Sequence, residues 1–165
     1  MICLDTMILI WAIQGFESDQ RSAEEDCAVA LIEKLDEQNE RVILPTAVLV
    51  EFLHNADRSK TEQRLAFFQE RFVIASFDLK SAVVAAEIMN HYKKPEKRPE
   101  TSAPGEGRRL DAVRTDAIIL GTAIANGANR IVSNDRHMKS LAGTLIIVEP
   151  LPRAARQTTM DFKDE

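Results

Sequence analysis

Residues 1–14, MICLDTMILIWAIQ, set a three-residue apolar run, Ile2-Cys3-Leu4, directly against a carboxylate, Asp5, and then resume an apolar pattern of helix length. So short a run, ended by a turn-forming acid, reads as a strand buried on both faces. The segment after it reads as a helix from Thr6 that Asp5 can cap. The same pattern recurs down the chain. Val42-Ile43-Leu44 precedes Pro45, which suits the first turn of a helix reaching about Asn55. Val73 to Ser76 precedes Asp78, a cap for a helix to about Tyr92. Ile131-Val132-Ser133 precedes Asn134-Asp135, and Leu145-Ile146-Ile147-Val148 is the fifth apolar run.

The intervening segments carry helix signals. Ser22 and Glu25 form a capping box ahead of Ala28, Leu31, Ile32 and Leu35. Thr61 can cap a helix with Leu65, Phe68 and Phe72 on one side, and Gly127 stops a helix that begins near Thr115. Strands without polar alternation, interleaved with helices, predict an α/β fold: three layers, α/β/α, around a five-stranded, mostly parallel sheet. The chain of 165 residues reads as one domain, residues 1–149, with a tail over 150–165 that has little apolar pattern and is expected to be loose. Lys93 to Val113 holds three of the six prolines, two of the six glycines, and six basic against four acidic residues, so it is expected to be a mobile loop.

Hydrophobic content of 45% and charged content of 28% fit a globular protein in water. The uncharged run from Thr6 to Phe16 is too short to span a bilayer, and no basic flank precedes it. Two cysteines, Cys3 and Cys27, make no disulfide framework, which predicts free thiols and a cytoplasmic protein. His54, His91 and His137 show no zinc spacing, and neither a phosphate-binding loop nor a nucleophilic serine elbow is present.

Four acids stand where apolar elements tolerate a charge least: Asp5, Glu51 within Val48-Leu49-Val50-Glu51-Phe52-Leu53, Asp116 ahead of Ala117-Ile118-Ile119-Leu120, and Asp135. Three have local explanations. Asp5 caps a helix, Asp116 is a first-turn acid favoured by the helix dipole, and Asp135 caps a short helix through Leu141. Glu51 lies past a first turn and has none. In an open parallel sheet the positions of all four face the crevice beyond the strand ends, at the switch in strand order. If they meet, each pair at ~5 Å repels by roughly 3 kcal/mol at an effective dielectric of 20. A hard divalent cation resolves that repulsion through an all-oxygen ligand set. Their neutralisation would take the formal charge from −5 to −1, which disfavours a sequence-independent DNA binder more than it disfavours a metal-dependent nuclease.

Asp5-Thr6 after the first strand, Glu51 after Pro45, Asp116-Ala117 opening a helix that ends in Asn126-Gly127, and Ser133-Asn134-Asp135 after a strand together resemble the PIN domain. The resemblance is to its bacterial VapC-type toxin ribonucleases and covers roughly Met1 to Val148. It implies a PIN-like fold and Mg²⁺ or Mn²⁺ held by Asp5, Glu51, Asp116 and Asp135. It also implies RNA as the substrate, a homodimer, and an antitoxin protein as partner. Thr6, Ser133 and Asn134 would support the site, and Arg114 could meet a phosphate or compensate the acids. The sequence departs from the family at Met7, where a small polar residue is common, and in the length of the 93–113 segment. Three alternatives remain open: a non-catalytic PIN-like scaffold, a housekeeping RNA-processing nuclease, and a phosphatase using Asp5 as nucleophile. The last resembles the haloacid-dehalogenase pattern but has Met7 where a second Asp is expected.

Overall fold

The computed structural model describes residues 1–54, 57–92 and 106–153. Five strands, β1 (Ile2–Leu4), β2 (Val42–Pro45), β3 (Val73–Ala75), β4 (Arg130–Val132) and β5 (Ile147–Glu149), form one sheet in the order β3-β2-β1-β4-β5. Every pairing is parallel. The helices are α1 (Thr6–Glu17), α2 (Ala23–Glu37), α3 (Thr46–His54), α4 (Thr61–Arg71), α5 (Leu79–Tyr92), α6 (Glu106–Ala125) and α7 (Arg136–Ala142). The α/β/α architecture is the one expected. Successive side chains of a strand point to opposite faces. Since Ile2, Cys3 and Leu4 are all buried, the middle of the sheet is covered on both sides.

The chain turns back at β1. Strands β1, β2 and β3 run outward to one edge, whereas β4 returns to pair with β1 on its other side. The crevice at that reversal lies beyond the carboxyl ends of β1 and β4. Local signals build the frame around it. The capping box of α2 is complete: Ser22 Oγ accepts from the Glu25 amide at 3.2 Å, and Glu25 Oε2 accepts from the Ser22 amide at 2.7 Å. α6 ends in two paired bonds, Gly127 N–H to Ile124 O and Ala128 N–H to Ala123 O, with Gly127 at φ 83°. That left-handed residue is why a glycine stands there. At Gly121 a Cβ would come within 2.8 Å of the Ala85 amide nitrogen, so the glycine permits the close approach of α5 and α6.

Several boundaries differ from expectation. α6 begins at Glu106, not near Thr115, so residues 106–113 of the expected loop are helical and Val113 is in the core. Their charges read as loop, but Glu, Arg, Leu and Ala are strong helix formers. The rest of that loop, 93–105, lies outside the described residues, as does the tail from 154. At the start of the tail, Leu151 is buried, so the loose segment expected from 150 is anchored there. Pro45 ends β2 opposite Ala75 and does not open the helix; at a strand's last position its missing N–H interrupts no interior ladder bond. Thr61 is the first residue of α4 and not its cap; Lys60 occupies the cap position without a side-chain bond. Among the described residues no helix is long and apolar enough to cross a membrane.

Candidate active site

The ladder between β1 and β4 places Asp5. Its amide donates to Val132 O at 3.1 Å, continuing the pairing one residue past the strand. The side chain caps α1, accepting the Thr6 amide on Oδ1 at 2.7 Å, while Oδ2 accepts the Ser133 hydroxyl at 2.6 Å. Asp5 is only 9% exposed. Burial pushes its carboxyl above the usual range, the bonds from Ser133 and Thr6 pull it back, and the charges of Glu51 and Asp135 push it up again. The net shift is upward, so the folded chain makes this anion harder to form.

Asp135 follows β4 and caps α7, its Oδ1 accepting the His137 amide at 2.7 Å. Its own amide donates to Ser133 Oγ at 3.1 Å, so one serine hydroxyl links two of the acids. Glu51 arrives on α3 and accepts a hydrogen bond from the Thr6 hydroxyl. Asp116 lies midway along α6 and not in its first turn as expected, with Oδ2 at 3.4 Å from His137 Nδ1. Burial first, then the charges of Asp135 and Asp5, raise the Asp116 carboxyl to about 6, against an opposing pull from His137. All four acids, with Asn134 and Thr6, line one cleft of about 720 Å³.

Supporting residues divide. Thr6 and Ser133 hold carboxylates, as described. Asn134 turns its Oδ1 to the Leu151 amide at 2.8 Å, which anchors the chain after β5. Arg114 is not at the acids. It is exposed and pairs with Asp111 at 3.1 Å. Two residues apart on a helix do not share a face, so its nearness to Asp116 in sequence brings no contact. Trp11 and His54, which no motif singles out, line the same cleft, and His137 meets Asp116 without lining it. Trp11 and His54 follow Met7 and Val50 by one helical turn, on helices already assigned, and that spacing was the available signal. Met7, Ile10 and Val50 make the rest of that wall apolar.

The donor set suits a hard divalent cation: carboxylate oxygens only, gathered from four elements, with two of the carboxyls raised by burial and by each other's charge. Among the described residues, no group of three or more His, Cys, Asp or Glu side chains is spaced to hold a metal ion. Hydroxyl, amide and imidazole donors occupy part of the acids' capacity. Each carboxylate oxygen accepts at two sites, so such bonds leave room for a ligand.

The family model for the PIN domain matches residues 2–144. Among solved structures the chain is similar to VapBC2 from Rickettsia felis bound to a DNA fragment from their promoter. There the TM-score is 0.62 with 21% identity, over 92% of this chain and 100% of that one. It is also similar to DNA-bound VapBC from Salmonella typhimurium, with TM-score 0.62 and 17% identity over 92% of this chain and 98% of that one. At such identities the likeness is one of fold. No curated protein matches the chain.

Proposed function

Because this chain belongs to the PIN domain family, we propose that it is a divalent-cation-dependent endoribonuclease that hydrolyses RNA phosphodiester bonds, and that it acts as the toxin of a toxin–antitoxin pair. One observation carries the catalytic half. Four acids from four separate elements line a single cleft at the switch point of a parallel sheet, where two carboxyls are held above their ordinary range. The VapBC neighbours motivate the toxin half.

Asp5, Glu51, Asp116 and Asp135 would hold Mg²⁺ or Mn²⁺. When bound, the cation supplies water activation near neutral pH and neutralises charge developing on the phosphate oxygens. The chain's own residues supply the rest. Ser133 and the Thr6 amide fix both oxygens of Asp5, and the Thr6 hydroxyl fixes Glu51, so these two acids do not have to be ordered when a ligand arrives. Met7, Ile10 and Val50 set an apolar wall on one side of the acids. The acids' negative field would attract a cationic side chain from an inhibitory partner, and an antitoxin Arg or Lys is the fitting chemistry. A homodimer in the cytoplasm is the form in which we expect the toxin to act.

RNA cleavage by purified protein, with Mg²⁺ or Mn²⁺ and with chelator, tests the reading. Cleavage should require the cation and should be lost in Asp5→Asn and Asp116→Asn. Undiminished cleavage by the double variant in chelator would trace the activity to a contaminant or another site. Co-expression with the adjacent open reading frame tests the partner. A chain that is harmless when expressed alone, yet cleaves RNA well in vitro, would favour RNA processing over toxicity.

A further inference from the structure

His137 touches two of the four acids at once. Its backbone amide donates to Asp135 Oδ1 at 2.7 Å, and its ring Nδ1 stands 3.4 Å from Asp116 Oδ2. The other ring nitrogen, Nε2, is 3.2 Å from the hydroxyl of Tyr92, the last residue of α5. The two rings meet edge-on, 5.6 Å between centroids at 61°. A neutral imidazole carries one N–H. With the Tyr92 hydroxyl donating to Nε2, that proton sits on Nδ1 and points at the Asp116 carboxylate. The reverse tautomer would set a nitrogen lone pair against the lone pairs of an anion.

We propose that His137 is a positioning residue that sets the spacing of Asp116 and Asp135, and that Tyr92 holds its ring in the required tautomer and orientation. The proposal rests on the reading of the cleft as a cation site. It assigns to α5 and α7, which contribute no acid lining of their own, a share in building that site. Two like charges on different elements drift apart unless something ties both. His137 ties one through its backbone and the other through its ring, so the α6–α7 geometry and the acid spacing become one variable. An outer donor that orients a ligating carboxylate is worth about 10- to 100-fold in metal affinity or activity.

The test uses the full chain as wild type, His137→Ala, His137→Asn and Tyr92→Phe, with His91→Ala, whose ring meets the Glu87 carbonyl of its own helix, as a control. Mn²⁺ binding is measured by calorimetry, and RNA cleavage is resolved into kcat and KM. His137→Ala should weaken Mn²⁺ and lower kcat by about 10- to 100-fold with KM for RNA little changed. His137→Asn keeps an N–H close to the place of Nδ1 and should recover most of both. Tyr92→Phe should fall between. Wild-type behaviour of His137→Ala overturns the proposal, and so does equal loss in His137→Ala and His137→Asn, which would signify packing alone.

A second readout needs neither metal nor RNA. The chain has three histidines, so a ¹⁵N-histidine spectrum of the metal-free protein, above the titration range of imidazole, resolves each tautomer. His137, identified by its disappearance in His137→Ala, should show Nδ1–H, shifting to a mixture in Tyr92→Phe. Wild-type protein that neither binds Mn²⁺ nor cleaves RNA removes the parent reading. An Nε2–H tautomer in wild type removes the clamp, whatever the activity.

Discussion

The two ends of α1 each carry a carboxylate, and each behaves opposite to what its helix position predicts. Asp5 caps the N-terminus, where the helix dipole favours an anion, yet its carboxyl is pushed up. Glu17 closes the C-terminus, where the dipole disfavours an anion, yet its carboxyl is held down at about 2. Partners decide both. Glu17 is gripped by Arg64 through Nε and Nη2, each at 2.9 Å, and by Lys60 at 2.8 Å. Asp5 has two neutral donors, lies buried, and feels the like charges of Glu51 and Asp135. A dipole contribution of about 0.3–1 kcal/mol loses to either environment. One end is an anion stabilised for its own sake; the other is an anion kept at a cost, the pattern expected where a charge serves a ligand.

The largest expected effect separates these two ends by what each change removes. Asp5→Asn keeps the cap but not the charge, so cleavage should fall by more than about 100-fold, beyond the cost of losing an outer-shell partner. Metal-free stability should hold or rise, because the change also removes like-charge repulsion. Glu17→Gln should do the reverse, sparing cleavage and lowering stability by about 1 kcal/mol or less. Kinetics and chemical denaturation on the two variants read both axes. A stability loss in Asp5→Asn larger than in Glu17→Gln would make Asp5 a structural residue first.

How much of this was legible in the sequence follows the same division. Asp5 was visible because a strand end and a helix cap coincide there, both local signals. Glu51 was visible as a charge with no local excuse. The parallel sheet followed from five apolar runs without alternation. The Glu17 clamp was not visible, because Lys60 and Arg64 lie 43 and 47 residues away with no periodicity to connect them. His137 was hidden for the same reason: its contact with Asp116 spans 21 residues and exists only once α7 folds back on α6. Arg114 misses the acids because two residues along a helix turn a side chain to another face. The start of α6 is hidden because the prolines, glycines and charges of residues 93–113 mask the helix formers within 106–113.

Acidity gives the next effect in size. Asp116 rises from an ordinary 3.8 to about 6, and Glu17 falls from 4.5 to about 2. An acid raised in the folded state is protonated there while its unfolded counterpart is ionised, so stability falls as pH climbs from near 4 to about 6. An acid lowered in the folded state contributes stability above its unfolded value and loses it as pH falls toward 2. The raised acid should therefore cost metal-free protein about 1–2 kcal/mol of stability between about pH 4 and neutrality, once solvent screening is discounted. Asp116→Asn should flatten the neutral side, and saturating Mg²⁺ should reverse it. Denaturant midpoints across pH, with chelator and with Mg²⁺, measure both arms. A neutral arm that Mg²⁺ leaves untouched would mean the raised acids are not the ones that bind it.

The smallest effect asks whether the Glu17 end is electrostatic at all. Arg64 also lies over the Phe52 ring, 5.6 Å from its centroid, so the clamp has an apolar side as well as a charged one. Salt separates them, since raising ionic strength from about 0.1 to about 1 M shortens the screening length from roughly 10 to 3 Å and leaves stacking nearly alone. The Glu17→Gln penalty should shrink by a few tenths of a kcal/mol over that range, within the small total of an exposed pair. Arg64→Lys should keep the charge and lose the two-pronged geometry, costing more than Glu17→Gln at high salt because the planar stack goes with it. Asp5, the acid that is buried, should respond less to the same salt than Glu17 does. A Glu17→Gln penalty that is constant with salt would assign the clamp to packing around Phe52. The contrast between the two ends of α1 would then be one of burial, with charge pairing secondary.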